Sequence, residues 1–208
     1  MRFIGITGGV GAGKSAVLSY LNSRKRVRTM MADRIAEELM EPGGSCYAAV
    51  KELFAGEPVF LENGRIDRPA MAAVIFRDEK MREALNELVH PAVRQYVCEQ
   101  KELEEQKGEL DFLFLEAALL IEEHYDEICD ELWYIYTSKE NRTKRLMESR
   151  GYSEQKINRI FESQLSEEAY RRACSRVIDN NGTEKETELQ LEQLMRSKGE
   201  FTDGTCKG

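Results

Sequence analysis

Cysteine is scarce in this 208-residue chain and follows no pattern. Cys46, Cys98, Cys129, Cys174 and Cys206 lie far apart, are odd in number and include no Cys-x-x-Cys pair. That suggests neither a disulfide framework nor a zinc site, and it fits a reducing compartment, so the expectation is a cytoplasmic protein. Basic charge is in deficit too: 30 Lys plus Arg stand against 38 Asp plus Glu, for a formal net charge of −8. No broad cationic face is expected to wrap a nucleic acid, and any phosphate must be gripped locally. Long apolar runs are also missing. No stretch approaches the roughly 18 consecutive apolar residues of a membrane span, and "MRFIGITGG" carries no secretory h-region with a cleavage site. The expected partners are therefore small molecules, with no nucleic acid and no membrane; exposed helix faces suit pairing and water alike, which leaves the oligomeric state open.

What is present is an alternation of β-type apolar runs with helical stretches, the pattern of a parallel sheet covered on both faces. Five strands are predicted, at Arg2 to Thr7, Arg26 to Met31, Phe112 to Leu115, Leu132 to Thr137 and Arg176 to Ile178. The third opens "FLFLEAALLI", apolar on both alternating faces, and is expected to be central. Between the second and third strands, about eighty residues read as nearly all helix, with Pro69 near the start of one and "HP" at 90–91 breaking between two others. The charged stretch "KENRTKRLMESRGYSEQKINRIFESQ" reads as a second helical insertion. One domain is expected, with a core over 1–33, 108–138 and 174–198, a helical subdomain over about 34–107, a lid over about 139–173, and a polar, frayed tail over 199–208.

The chemistry starts at "FIGITGGVGAGKSAV". Gly8, then four residues, then Gly13-Lys14-Ser15 satisfies the P-loop pattern, after an apolar strand and before a helical run as the mechanism requires. Glycines let successive N–H groups approach phosphate oxygens, and the following helix presents its positive end to the same anion. Gly9, Val10, Gly11, Ala12, Gly13, Lys14, Ser15 and Ala16 are thus the expected ATP-binding run. In that run Lys14 neutralises the β and γ phosphates, and the Ser15 hydroxyl is a ligand of Mg²⁺.

Four further places bear on what is done with the triphosphate. Asp33 follows the second strand, where a carboxylate is placed to take a proton from an attacking hydroxyl or to cap the next helix. Glu116 closes the third strand, as a Mg²⁺ ligand or a surface carboxylate. Arg65, Arg68 and His90 suit an anionic acceptor, or an ion pair and a helix cap. Arg142, Lys144, Arg145 and Arg150 belong to a solvated helix face or to a basic lid that closes over phosphates.

Taken together these segments resemble the dephospho-CoA kinase family over residues 2 to about 182. The resemblance is carried by "ITGGVGAGKS", "ADRIAEELMEPGG", "NGRIDRPAMAAVIF", "LVHPAV", "NRTKRLMESRGYS" and "VIDNNG", in order. It implies an α/β, P-loop NTPase-type three-layer fold with a five-stranded parallel sheet, an inserted helical acceptor-binding subdomain and a helical lid. The activity implied is ATP-dependent phosphorylation of the ribose 3′-hydroxyl of dephospho-CoA, with Mg²⁺. The implied roles are Asp33 as base, Lys14 and Arg145 beside it in catalysis, and Arg145 and Arg150 as lid contacts to ATP. Arg68 and His90 fall on the acceptor side, Asn180 and Gly182 at the adenine, and Ser15 and Glu116 at the metal. The chain departs from the family at Glu116-Ala117-Ala118, where an Asp-containing dipeptide then Pro is usual, and at Cys174-Ser175, where Ala-Asp is usual. A nucleoside or nucleotide kinase of the same fold and a non-catalytic nucleotide-binding switch remain the alternatives, although no Asn-Lys-x-Asp guanine motif occurs.

Overall fold

The structure, a computed structural model, describes residues 1–196 of the chain. The expected frayed tail at 199–208, with Cys206, lies outside the described residues. The described chain divides into two compact units, Met1–Met30 with the segment from Glu104 onward, and Met31–Leu103.

The first unit is organised around Arg2–Thr7 (β1). Phe3, Ile4 and Ile6 are wholly buried there, as they must be in a strand covered on both faces. Lys14–Asn22 (α1) and Val27–Met31 (β2) follow, and after the second unit come Phe112–Glu116 (β3) and Glu131–Tyr136 (β4). Lys139–Arg150 (α6), Glu154–Glu162 (α7) and Glu167–Ala173 (α8) then lead to Arg176–Asp179 (β5) and Glu184–Arg196 (α9). The sheet order is β2-β3-β1-β4-β5, with β1 parallel to both β3 and β4, and β4 parallel to β5.

The centre is thus β1, and β3 is the interior strand beside it, which corrects the expectation drawn from the apolar run at Phe112. Burial on both faces marks any interior strand, and β1 meets the test as well: Gly5 leaves the space that Leu132 and Leu120 fill, a Cβ there falling 2.7 Å from Leu132 Cδ2. Phe114 packs tilted on Trp133 at 5.4 Å and stacks on Phe112 at 5.9 Å, and each such ring contributes about 1.5–3 kcal/mol on burial. From the neighbours β1 and β3 the chain leads off in opposite directions across the sheet, to β2 and to β4. That makes a switch point at their carboxyl ends, where ligands of open α/β sheets bind.

The charged insertion is α6, α7 and α8, each opened by a serine whose hydroxyl accepts a first-turn N–H: Ser138 from Asn141, Ser153 from Lys156 and Ser166 from Ala169.

The second unit is helical: Ala32–Met40 (α2), Tyr47–Leu53 (α3), Arg68–Arg77 (α4) and most of Glu79–Lys107 (α5). Asp67 caps α4, accepting from the Ala70 N–H at 3.1 Å, and Pro69 sits in the first turn, where its missing N–H costs nothing. The expected break at His90-Pro91 is absent, because α5 runs unbroken through Pro91. A proline forfeits one hydrogen bond and strains the turn before it. Here the stripe Leu85, Val89, Val93 and Val97, all buried at helical spacing on both sides of Pro91, holds the helix together.

Candidate active site

The P-loop leaves β1 with the carbonyls of Gly8, Val10 and Ala12 fastened by side chains and several of its amides open. Lys14 Nζ donates to the Gly8 carbonyl at 2.8 Å, Arg142 Nε to the Val10 carbonyl at 2.8 Å, and the Ala12 carbonyl takes three donors. These are Asn180 Nδ2 at 2.7 Å, Thr137 Oγ1 at 2.9 Å and Arg145 Nη1 at 3.3 Å. In a trans peptide the C=O and the next N–H point opposite ways, so a carbonyl held inward turns the following amide outward. The N–H groups of Gly11, Gly13, Lys14 and Ser15 accordingly meet no acceptor among the described residues. Gly13 sits at φ 89°, the left-handed conformation at which α1 begins, and no carboxylate occupies that helix's first turn. Free amides, an unopposed helix N-terminus and Lys14 make a site for a chain of phosphates.

Glu116, 7 % exposed at the end of β3, lies with Oε1 3.4 Å from Lys14 Nζ. The Ser15 hydroxyl, on the exposed first turn of α1, makes no hydrogen bond among the described residues. Ala16 is exposed beside it and lines a cavity of about 310 Å³ between α1 and α9, together with Ser19, Tyr20, Asn180, Thr187 and Leu191.

Asn180 is buried and doubly committed: besides its bond to Ala12, its Oδ1 accepts from Thr187 Oγ1 at 2.9 Å. Gly182 is the place where Glu186 folds back to cap α9, accepting from the Thr183 N–H at 2.7 Å, and a Cβ at Gly182 would run into that carboxylate.

Of the basic residues of α6, two reach the loop. Arg145 bonds Ala12, Thr137 Oγ1 at 3.3 Å and the Asn180 carbonyl at 2.7 Å. Arg142 lies across Gly9, 4.3 Å from the Phe161 ring centroid, and its burial pulls its guanidinium pKa below the usual value. Arg150 is not brought there; it stands exposed at the end of α6 over the Tyr152 ring. Residues five apart on a helix point about 140° apart, so Arg145 and Arg150 cannot share a face, whereas Arg142 and Arg145, about 60° apart, do. That spacing was the available signal for Arg142. Thr137 and Gln164, which also hold the loop, carry none.

In the second unit Asp33 lies inside the first turn of α2, exposed and without a partner among the described residues; the cap is Met31, so Asp33 is not the N-cap. Arg68 is ion-paired to Glu37 and, at 3.5 Å, to Glu41, which also holds Arg65 at 3.3 Å. His90 is half-buried in mid-α5. Among the described residues no cluster of three His, Cys, Asp or Glu could hold a metal by itself, and no helix is long and apolar enough to cross a membrane.

A dephospho-CoA kinase family model matches residues 2–186. The chain belongs to the dephospho-CoA kinase family. As a member it is a kinase, using ATP to phosphorylate dephospho-CoA. It is 36 % identical over 188 residues to the dephospho-CoA kinase of Shouchella clausii, covering 90 % of this chain and 94 % of that protein. Among solved structures, TT1252 from Thermus thermophilus superposes with a TM-score of 0.76 at 30 % identity, covering 94 % of this chain and 97 % of that one. The dephospho-CoA kinase from Campylobacter jejuni, 19 % identical, shares the fold with a TM-score of 0.70 over 95 % and 99 % of the two chains.

Proposed function

We propose that the protein moves the γ-phosphoryl group of ATP to the ribose 3′-hydroxyl of dephospho-CoA. Asp33 takes the hydroxyl proton, while Lys14, Arg142 and Arg145 neutralise the transferring group. The observation that carries the donor half is the P-loop with its Gly8, Val10 and Ala12 carbonyls tied back and the Gly11, Gly13, Lys14 and Ser15 amides left open; family membership supplies the acceptor. Phosphoryl transfer asks for alignment and charge neutralisation more than covalent help, and the groups around the loop are of that kind.

Residues Gly9 to Ala16 cradle the phosphates, and the adenine enters the cavity beside Ala16 and Asn180, with Gly182 at the turn behind it. Segment 139–173 acts as the lid, through Arg142 and Arg145 first; Arg150 reaches ATP only if α6 rotates. Segment 34–107 receives the acceptor, where Arg68 gives up one of its two carboxylate partners to an acceptor phosphate and His90 serves as a second acceptor-side residue.

Mg²⁺ fits the donor set, because the Ser15 hydroxyl and the Glu116 carboxylate are hard oxygens, and an ion carried in on a triphosphate needs only one or two protein ligands. Bound there, it would supply positive charge to neutralise the phosphates during transfer. Glu116 has a longer arm than the aspartate usual in the family, and its Oε1, 3.4 Å from Lys14 Nζ, supports this reading.

ADP release from the purified protein with ATP and magnesium, compared across dephospho-CoA, AMP, adenosine and no acceptor, tests the reading. Turnover confined to dephospho-CoA is expected. Turnover with a smaller acceptor instead would overturn the assignment of segment 34–107 and favour a nucleoside or nucleotide kinase, and ATP binding without turnover on any acceptor would favour a switch.

A further inference from the structure

Gln164 stands in the short loop between α7 and α8, far in sequence from the P-loop, yet its side chain closes a ring with it. Its Oε1 accepts from the Val10 N–H at 3.3 Å and from Arg142 Nη2 at 2.5 Å, while Arg142 Nε donates to the Val10 carbonyl at 2.8 Å. Both neighbours of that carboxamide are donors, so its oxygen, not its nitrogen, must face them. The amide and carbonyl of one P-loop residue are therefore gripped by one arginine and one glutamine, and Arg142 is held from three sides, by Val10, Gln164 and the Phe161 ring. Its Nη1 makes no hydrogen bond among the described residues and lies against Gly9.

We infer that Gln164 is a positioning residue for phosphoryl transfer: it sets the Val10 peptide and aims the Arg142 guanidinium at the phosphate site. This rests on the reading of Arg142 as a lid cation. A loose arginine over a P-loop would sample many rotamers, and phosphoryl transfer loses rate steeply with misalignment. Gln164 removes that freedom without adding charge. A carboxylate at the same place would keep the two hydrogen bonds but neutralise Arg142 and put negative charge beside the incoming triphosphate. The residue must therefore accept hydrogen bonds and be neutral, which distinguishes this role from mere packing. Gln164 also withholds the Val10 N–H from the phosphates, leaving the Gly11, Gly13, Lys14 and Ser15 amides to bind them.

The test uses the full chain and the variants Gln164→Ala, Gln164→Glu and Arg142→Ala. Backbone amide exchange by NMR should show Val10 exchanging about tenfold or more faster in Gln164→Ala, with Gly5 and Ile6 in β1 unchanged. In steady-state assays Gln164→Ala should lose about 10- to 100-fold in kcat while the KM for ATP moves less than about threefold. Gln164→Glu should keep Val10 protected yet lose rate, since only its charge is wrong. Arg142→Ala should cost far less in the Gln164→Ala background than in the native one, because the two act as a unit. Unchanged Val10 exchange, or a kcat for Gln164→Ala within about twofold of the native value, overturns the inference, as do multiplicative effects of the two alanine variants. If instead the native chain fails to turn over dephospho-CoA while Val10 exchange still accelerates, the proposed reaction fails and the positioning of the Val10 peptide stands.

Discussion

Gly9 has no side chain where Arg142 lies: a Cβ there would meet the guanidinium carbon and both of its terminal nitrogens. Its φ is not among the positive ones, so alanine meets no backbone penalty and even restricts the unfolded chain. Gly9→Ala should therefore leave the thermal midpoint almost unmoved and displace Arg142, lowering kcat by about 10- to 100-fold as an interaction with the transferring group is lost. A rate close to native would mean that Arg142 acts elsewhere. Asp33 calls for a different expectation. It is exposed, without a partner among the described residues and not needed as a cap, so Asp33→Asn loses no more than a favourable first-turn charge on α2. Turnover should fall by roughly 10² to 10⁴ with ATP binding little changed, the usual cost of removing a general base. An isothermal titration with ATP beside the steady-state assay separates the two quantities, and near-native turnover would remove Asp33 from the mechanism.

At the scale of an element, α9 is started by a reciprocal pair. The Thr183 hydroxyl accepts from the Glu186 N–H at 3.3 Å, and the Glu186 carboxylate accepts from the Thr183 N–H at 2.7 Å and its hydroxyl at 2.9 Å. The backbone hydrogen bond from Thr183, and then that from its hydroxyl, hold the Glu186 pKa below the usual carboxylate value. Its folded pKa being the lower one, this support exists above the ordinary carboxylate range and fades as pH falls through the folded pKa. Thr183→Ala should destabilise the protein by about 1 kcal/mol, read as a lower urea midpoint at unchanged slope. Because Thr187, one turn on, holds Asn180, the same variant should also raise the KM for ATP; a stability loss without that change would detach α9 from the donor site. Element boundaries were largely legible in the sequence, since each predicted strand lies within about a residue of the observed one. Pro91 was not: the local penalty of a proline is visible in sequence, whereas the buried valine stripe that outweighs it is a tertiary fact.

For the molecule as a whole, the buried weak acids set an alkaline limit. Burial pushes the Cys174 thiol up to about 12, and burial first, then the charge of Glu167, pushes the Tyr134 hydroxyl up to about 12. Both folded pKa values stand above the unfolded ones, so the folded chain holds protons that the unfolded chain releases. The stability they lend is complete below about pH 8, where neither group ionises in the unfolded chain, and is lost progressively towards pH 12. Urea midpoints should fall between about pH 8 and pH 10.5, and Cys174→Ala should flatten the decline. A midpoint flat over that range would mean these groups are open to water. Below pH 8 the same thiol stays protonated, which makes it a poor nucleophile in the native state.

The sequence by itself determined the fold class, the five strands, the P-loop and the family, because these are written in local periodicity and in contiguous motifs where neighbours in chain are neighbours in space. It also singled out Lys14, Ser15 and Glu116 by type and place, and Asn180 through the family resemblance. Only the tertiary structure decided that β1 takes the centre, that α5 passes through Pro91, that Met31 and not Asp33 caps α2, and that Arg142 rather than Arg150 meets the loop. It alone shows Gln164 and Thr137 at the P-loop, 154 and 125 residues from their partners Val10 and Ala12. Those contacts leave no periodic or local trace: they exist because the sheet order and the turn after α7 bring unlike segments together, and the direction of a side chain on a packed helix is settled by what it packs against.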